Sequence, residues 1–339
     1  MTRASAPLDR SPLDVLKGHG TENDFVLVVD LTGRRPIAEH LVRALCDRRA
    51  GLGGDGLIRL VPTAAVDDAP AGLAAEGAEW FMDYRNADGS VAQMCGNGVR
   101  VTAALAERLG LWDGAGPLVL GTRAGARTVT ATSGPDGTPW YAVDMGPWRA
   151  TGADEAFAAG ADAEVLVPGL AVARPALSFD LGNPHTVLAL ADVEELERAD
   201  LTRAPVVEPR PPEGTNVELV VPQGEVLGSE GAGGPAQGRL RMRVHERGVG
   251  ETRSCGTGAC AAALAVRAWA GPGAPTTWWV DVPGGLLRVR VTASAPDGRS
   301  GRVELAGPAR LVAEAQIDLS SLAGSGPAQE AEAGPASDR

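Results

Sequence analysis

Positive charge, aromatic rings, histidine and cysteine are all scarce in this chain. Of its 339 residues, 4% are aromatic, 4 are histidine and 4 are cysteine. Its 31 Lys and Arg face 43 Asp and Glu, a formal net charge of −12. That balance argues against a nucleic-acid partner and against a charged grip on an anionic membrane surface. It also means that an anionic ligand must be drawn in by a local site, because the overall field repels it. No run of 18 apolar residues is present, so no transmembrane helix is expected. Residues 1–12 contain Arg3 and Arg10 but lack the apolar stretch of a secretory signal. The expected compartment is therefore the cytoplasm, where thiols stay reduced. Four cysteines in a long cytoplasmic chain point to chemistry more than to a disulfide framework.

The length suits two domains. A hydrophobic content of 44% is ordinary for a globular protein, and 45 Gly with 25 Pro indicate many turns. Two of the cysteines stand in matching settings. One reads Met94-Cys95-Gly96-Asn97-Gly98 and the other Ser254-Cys255-Gly256-Thr257-Gly258. A helical pattern follows each, over 99–109 and 259–270. A thiol at a helix start meets unpaired N–H groups and the positive end of the helix dipole. That setting is expected to lower the thiol pKa and to supply a thiolate near neutral pH. Two such thiols facing one pocket would suffice as base and acid on opposite faces of one carbon.

Along the chain, residues 15–31 carry the buried-strand run Val26-Leu27-Val28-Val29, and Pro36 opens a helix reaching about Arg48. Strands are expected over 57–61, 80–85, 118–132 and 140–145. Near Gly146-Pro147 the pattern restarts, with strands around 165–167, 176–181, 217–221, 240–245, 277–282, 286–292 and 302–306. Residues 187–190 open a short strand or turn before an acidic helix at 192–199. Residues 63–79 and 223–238 read as inserted surface loops lying away from any site. Residues 1–12 and the Ala/Gly/Glu/Ser-rich tail 320–339 are expected to be disordered. Strands, Cys-Gly-x-Gly, helix and more strands thus occur twice, a weak internal repeat that suggests two similar α+β units with a site between them.

The other polar motifs each have a plain alternative. In Gly18-His19-Gly20-Thr21-Glu22-Asn23-Asp24, Asn23 offers a ligand both a donor and an acceptor, or merely caps a turn. The glycine-dense stretch 49–56 is not a P-loop, because no Lys-Ser/Thr follows it. Asn86-Ala87-Asp88-Gly89-Ser90 is a turn, or else places Asn86 beside Cys95. His185, after Gly182-Asn183-Pro184, tunes a thiol or is structural. Asn216 binds a ligand or caps a turn. Glu246 and Arg247 precede the second cysteine loop, where they suit the ammonium and carboxylate of a zwitterion, or form a solvated ion pair. Cys95 and Cys255 lack the closely spaced partners of a metal site, and matching glycine-rich helix starts are unusual for a redox pair. Cys46 and Cys260 fit the buried, inert class.

Taken in this order, the motifs resemble those of the diaminopimelate epimerase family, from about Leu16 to about Asp318. The most specific are Asn86 to Ser90 with Cys95 to Gly98, then Gly182 to His185, then Glu246 to Gly248 leading to Cys255 through Cys260. The resemblance implies an α+β fold of two pseudo-symmetric domains, each an antiparallel β-barrel-like sheet around a central helix, with the active site in the cleft. Domain boundaries follow at 13–147 and 148–305, a strand at about 306–318 completing the first. It implies an isomerase of lysine and peptidoglycan precursor synthesis that interconverts LL- and meso-2,6-diaminoheptanedioate with no cofactor, neither pyridoxal phosphate nor metal. Cys95 and Cys255 match the acid/base pair, and His185 and Glu246 match groups that tune them. Asn23, Asn86, Asn183, Asn216, Glu246 and Arg247 match positions that hold the substrate. The N–H groups at Gly96, Asn97, Gly256 and Thr257 would cradle the reacting carboxylate. A homodimer with a small-molecule substrate, and neither nucleic acid nor membrane as partner, fits the same family.

One position departs from the pattern. Many family members carry Gln where this chain has Gly56, so a side-chain contact to substrate is missing, to be replaced by water or backbone or reflected in substrate preference. Two other readings use the same cysteines. A proline or hydroxyproline racemase of this fold would not need Asn183, Asn216 and Arg247. A non-catalytic redox sensor would form a Cys95–Cys255 disulfide and exchange no α-proton.

Overall fold

The computed structural model describes residues 12–226 and 235–322. Most of the expected lead-in, most of the tail and the centre of the 223–238 segment lie outside these residues. The chain opens with a hairpin, β1 (Leu13–Gly20) and β2 (Asn23–Val29). Its turn residues Thr21 and Glu22 both adopt positive φ, 49° and 62°. A β-branched residue rarely takes that conformation, and it persists here because Thr21 is held from several sides, as described below.

Two crossovers follow. From β2 the chain passes through α1 (Glu39–Cys46) to β3 (Gly56–Pro62), which lies parallel to β2. β4 (Trp80–Asn86) returns antiparallel to β3. α2 (Gly96–Arg108) then leads to β5 (Leu118–Thr122), parallel to β4, and to the hairpin strands β6 (Gly125–Ser133) and β7 (Pro139–Ala150). The second half begins with α3 (Asp154–Ala158), β8 (Ala163–Leu166) and β9 (Arg174–Asp180). It then repeats the plan. β10 (Pro184–Ala189) passes through α4 (Val193–Arg198) and the short β11 (Val206–Glu208) to a parallel β12 (Asn216–Val226). β13 (Gln237–Glu246), β14 (Gly250–Thr252) and α5 (Gly256–Ala270) lead to β15 (Thr277–Val282), parallel to β13. β16 (Gly285–Ser294), β17 (Ser300–Pro308), β18 (Arg310–Ile317) and the single turn α6 (Leu319–Leu322) complete it.

Each half therefore curls a sheet around one helix. α2 is buried from Gly96 to Ala106 and α5 from Gly258 to Val266, so each helix is enclosed rather than lying on a surface. The alanine-rich face of α5 lets the strands approach closely on all sides. Long registers are otherwise antiparallel. The four parallel pairs among the described strands arise where a connection of a dozen or more residues carries a helix or loop back to the same end of the sheet. The halves are joined through β7 and β17, paired from Arg149↔Ser300 to Trp140↔Pro308. β18 returns to pair with β1, Leu13↔Ile317, so a late strand closes the sheet of the first half.

Some elements differ from the expectations. The first helix starts at Glu39, not at Pro36. Residues 63–79 are not merely surface, because Val66, Leu73 and Ala78 pack on Val61 and Phe81 as a small separate core. β12 and β13 extend into the 223–238 segment, pairing Glu225↔Gly238 and Val226↔Gln237. α6 carries helix to Leu322, beyond the expected start of the tail. Among the described residues no helix is long and apolar enough to cross a membrane.

Arg59 is buried between Asp83, at 3.0 Å from Nε, and Asp30, at 3.5 Å from Nη1. Arg123 reaches the other Asp83 oxygen at 2.9 Å. The β15–β16 turn presses on the β1–β2 turn, where a Cβ at Gly284 would stand 1.8 Å from the Thr21 carbonyl oxygen. Backbone cannot yield that much. Gly284→Ala is therefore expected to lower stability by about 1–3 kcal/mol, read as a fall in the denaturation midpoint.

Candidate active site

Cys95 and Cys255 are the N-cap residues of α2 and α5, both with extended backbone. Each sulfur accepts a hydrogen bond from the third residue of its helix, Gly98 N or Gly258 N, at 3.4 Å. The two helix starts touch. A Cβ at Gly256 would lie 3.5 Å from Gly96 Cα, 3.4 Å from Asn97 Oδ1 and 2.9 Å from Leu305 Cδ2. Glycine at both first positions is what permits this approach. The positive ends of two dipoles and their unpaired N–H groups thus converge on one place.

Asn97 ties the two halves together. Its Nδ2, fully buried, donates to Asn23 Oδ1 and to Ser254 O, each at 3.1 Å. Thr21 Oγ1 and Ser254 Oγ are 2.6 Å apart, which is the contact that fixes the strained turn. Asn23 donates to Asp55 Oδ2 at 2.7 Å and accepts from Cys95 Sγ at 3.6 Å. Behind Cys95 lies the fully buried Arg100, which donates to Thr21 Oγ1 and Pro308 O but has no carboxylate partner among the described residues.

A second chain of contacts leads to Cys255. Its sulfur lies 3.6 Å from Thr257 Oγ1, which accepts from Asn183 Nδ2 at 3.3 Å. Asn183 Oδ1 lies 3.0 Å from His185 Nε2, and His185 Nδ1 lies 2.7 Å from Glu218 Oε1. His185 and Glu218 are both fully buried. Glu246 accepts from Thr252 Oγ1 and lies against the Cys255 thiol. Burial raises the Glu246 carboxyl, and the hydrogen bonds from Thr252 and Cys255 offset part of that rise.

The expectation of low thiol pKa values needs correction. Burial pushes Cys95 up to about 11, against the lowering by the Gly98 and Asn97 N–H groups and by Arg100. Cys255 stands well above its ordinary value, first through burial and then through Glu246 and Glu218. Desolvation outweighs the helix start because both sulfurs are enclosed between the halves. Glu246 raises both thiols; they differ in that the Arg100 cation backs Cys95, whereas a second carboxylate, Glu218, acts on Cys255.

The structure brings together Asn23, Cys95, Gly96, Asn97, Asn183, His185, Glu246, Cys255, Gly256 and Thr257. Arg247 stands at the rim with a half-exposed guanidinium bonded to Glu213 O at 2.8 Å. Asn216 donates to Pro184 O and accepts from Arg247 N, so it holds the two loops that carry His185 and Arg247. Asn86 bonds Ser90 Oγ at 3.0 Å within its own turn and makes no hydrogen bond to Cys95. Glu218, Arg100, Thr21 and Ser254 escaped the sequence reading. A charge inside the apolar run Val217 to Val221, and another within the buried pattern of α2, were the available signals for the first two.

A profile of the family described as diaminopimelate epimerase matches residues 15–151 and 177–312. The diaminopimelate epimerase of Streptomyces coelicolor is 46% identical over 91% of this chain and 96% of its own. That of Mycobacterium avium is 44% identical over 89% of this chain and 95% of its own. Among solved structures, a Bacillus anthracis phenazine biosynthesis protein of the PhzF family aligns with a TM-score of 0.60 at 15% identity, covering 90% of this chain and 99% of that one. A hydroxyproline epimerase from Agrobacterium vitis aligns at 0.58 and 15%, covering 91% and 93%. Those two likenesses show a shared fold. With two cysteine-capped helix starts in contact and close relatives over nearly its whole length, the chain belongs to the diaminopimelate epimerase family.

Proposed function

We propose that the protein interconverts LL- and meso-2,6-diaminoheptanedioate by a two-base route, with Cys95 and Cys255 on opposite faces of one α-carbon. The contact between the two cysteine-bearing helix starts carries this reading. The substrate's reacting carboxylate lies against the N–H groups of Gly96, Asn97, Gly256 and Thr257. Negative charge that develops as the α-proton leaves is then met by preorganised donors, each worth about 3–4 kcal/mol. Cys95 as thiolate takes the proton and becomes a thiol. Cys255 as thiol delivers its proton to the opposite face and becomes a thiolate. Proton exchange resets the pair, and the reverse reaction exchanges the roles.

Electrostatics makes Cys95 the easier of the two thiols to ionise. Glu246 opposes a charge on either thiol, but Cys95 has Arg100 and two N–H groups in its favour, whereas Glu218 adds to the opposition at Cys255. Asn23, Asn86, Asn183, Glu246 and Arg247 bind the two zwitterionic ends. Asn216 and His185 keep those loops in place. An amide or guanidinium left unpaired penalises substrates without a second amino-carboxyl group, which separates this reading from a proline-type racemase. The enzyme acts in the cytoplasm, where its thiols stay reduced, and as a homodimer, which sedimentation tests.

The deciding experiment incubates the reduced protein with LL-2,6-diaminoheptanedioate in D₂O without cofactor. Deuterium at one α-carbon together with meso product is the expected result. Absence of both sinks the assignment and turns attention to proline substrates and then to a redox role. Alkylation gives a second check. With its pKa pushed up to about 11, Cys95 is mostly thiol at neutral pH. Its thiolate fraction, and hence its alkylation rate by iodoacetamide, should climb about tenfold per pH unit from about pH 7 to 9. Peptide mapping should find Cys95 modified ahead of Cys255 throughout.

A further inference from the structure

Gly56, where the family pattern leads one to expect a longer side chain, is covered by a tyrosine. β3 and β4 pair Gly56↔Asn86 and Ile58↔Tyr84. Alternation along β4 puts Met82, Tyr84 and Asn86 on one face. That face looks at the first cysteine loop: a Cβ at Gly98 would lie 3.1 Å from Ile58 Cδ1 and 3.5 Å from Met82 Sδ. Tyr84 lays its ring over Gly56, where a Cβ would come within 2.6 Å of Cε2 and 3.3 Å of Oη. Phe25 meets the ring edge-on, centroids 5.7 Å apart and planes at 85°. A side chain at position 56 would also meet the Arg85 carbonyl oxygen, 2.4 Å from its Cβ, so backbone and ring together require glycine there.

The phenol oxygen is not spent on the protein. Tyr84 is 8% exposed, yet its Oη is neither sealed from solvent nor hydrogen-bonded to any described residue. After burial, the groups that act on it most are Cys95 of the first half and Glu246 of the second. Met82, two residues back on the same face of β4, meets Gly98 of the first cysteine loop, so the Tyr84 ring stands beside that loop. Burial and both negative neighbours hold the phenol protonated, which keeps it a donor.

We propose that Tyr84 is a specificity-determining residue, whose hydroxyl, held over Gly56, donates a hydrogen bond to a carboxylate of the bound substrate. This rests on the epimerase reading above. A donor fixed to a rigid ring thus does the work that the missing side chain at position 56 would do from the neighbouring strand.

Tyr84→Phe tests it, because the ring stays over Gly56 and only the hydroxyl is lost. With LL-2,6-diaminoheptanedioate, kcat/KM should fall about tenfold, the loss lying mainly in KM, while the melting temperature holds. An unchanged kcat/KM overturns the proposal. So does a loss confined to kcat together with a lower melting temperature, the mark of a structural role. Wild-type protein run alongside keeps the failures apart: no α-proton exchange in the wild type removes the epimerase reading and this inference with it, whereas exchange in the wild type and an undiminished variant removes this inference alone.

Discussion

Cys95→Ala and Cys255→Ala should each depress epimerisation by roughly 10²–10⁴-fold, the range for one positioned acid or base. The two variants should also fail differently. Cys255→Ala retains the base that faces the LL centre but has no acid on the far side. It should wash deuterium into LL substrate from D₂O without making meso product. Cys95→Ala retains only the opposite group, so LL substrate should stay protiated while the D-configured centre of meso substrate exchanges. Mass spectrometry with chiral separation reads both outcomes. Exchange with inversion in either single variant would contradict a two-base route. Folding should survive, since each sulfur contributes only one weak N-cap hydrogen bond to its helix.

Arg59→Met is expected to produce the largest loss of stability, about 3–5 kcal/mol. The guanidinium sits between two carboxylates that are almost wholly enclosed, Asp30 and Asp83. Methionine fills similar volume but leaves both acids with less compensation. Arg123 still pairs with Asp83, whereas among the described residues Asp30 retains only the backbone N–H groups of Arg34 and Arg35 and the Thr32 hydroxyl. Denaturant titration measures the effect. An unchanged midpoint would mean that desolvation of the three charges already cancels their attraction. Turnover of the folded fraction should be unaffected, because none of these side chains reaches the cysteine loops.

The parts of the site written in local sequence were legible, and those made by distant pairing were not. Cys-Gly-x-Gly before a helix announces an N-cap thiol, and the order of the loops reveals the family resemblance. The contact of Gly96 with Gly256 depends on the β7–β17 pairing, which no local pattern encodes. Thiol pKa direction was misread for the same reason. A helix start is visible in sequence, but the enclosure that outweighs it exists only once the halves meet. Along the chain Glu218 is one polar residue in an apolar strand, and only the fold sets His185 2.7 Å from it. The mixed sheets were also hidden, since a strand's own pattern does not say which neighbour it will take.

The return of β18 to β1 sets an order of events during synthesis. β1 leaves the ribosome long before its partner Arg310–Ile317. At about 5–20 residues per second, the interval between them spans tens of seconds. Throughout it, one edge of the first sheet has no native partner and is open to pairing with other nascent chains. The first half cannot finish folding ahead of the second, although its own helix and most of its strands are already made. Closure of the first sheet thus waits by topology on synthesis of the second half, and the time spent with that edge uncovered is a hazard of maturation that the final stability does not reveal.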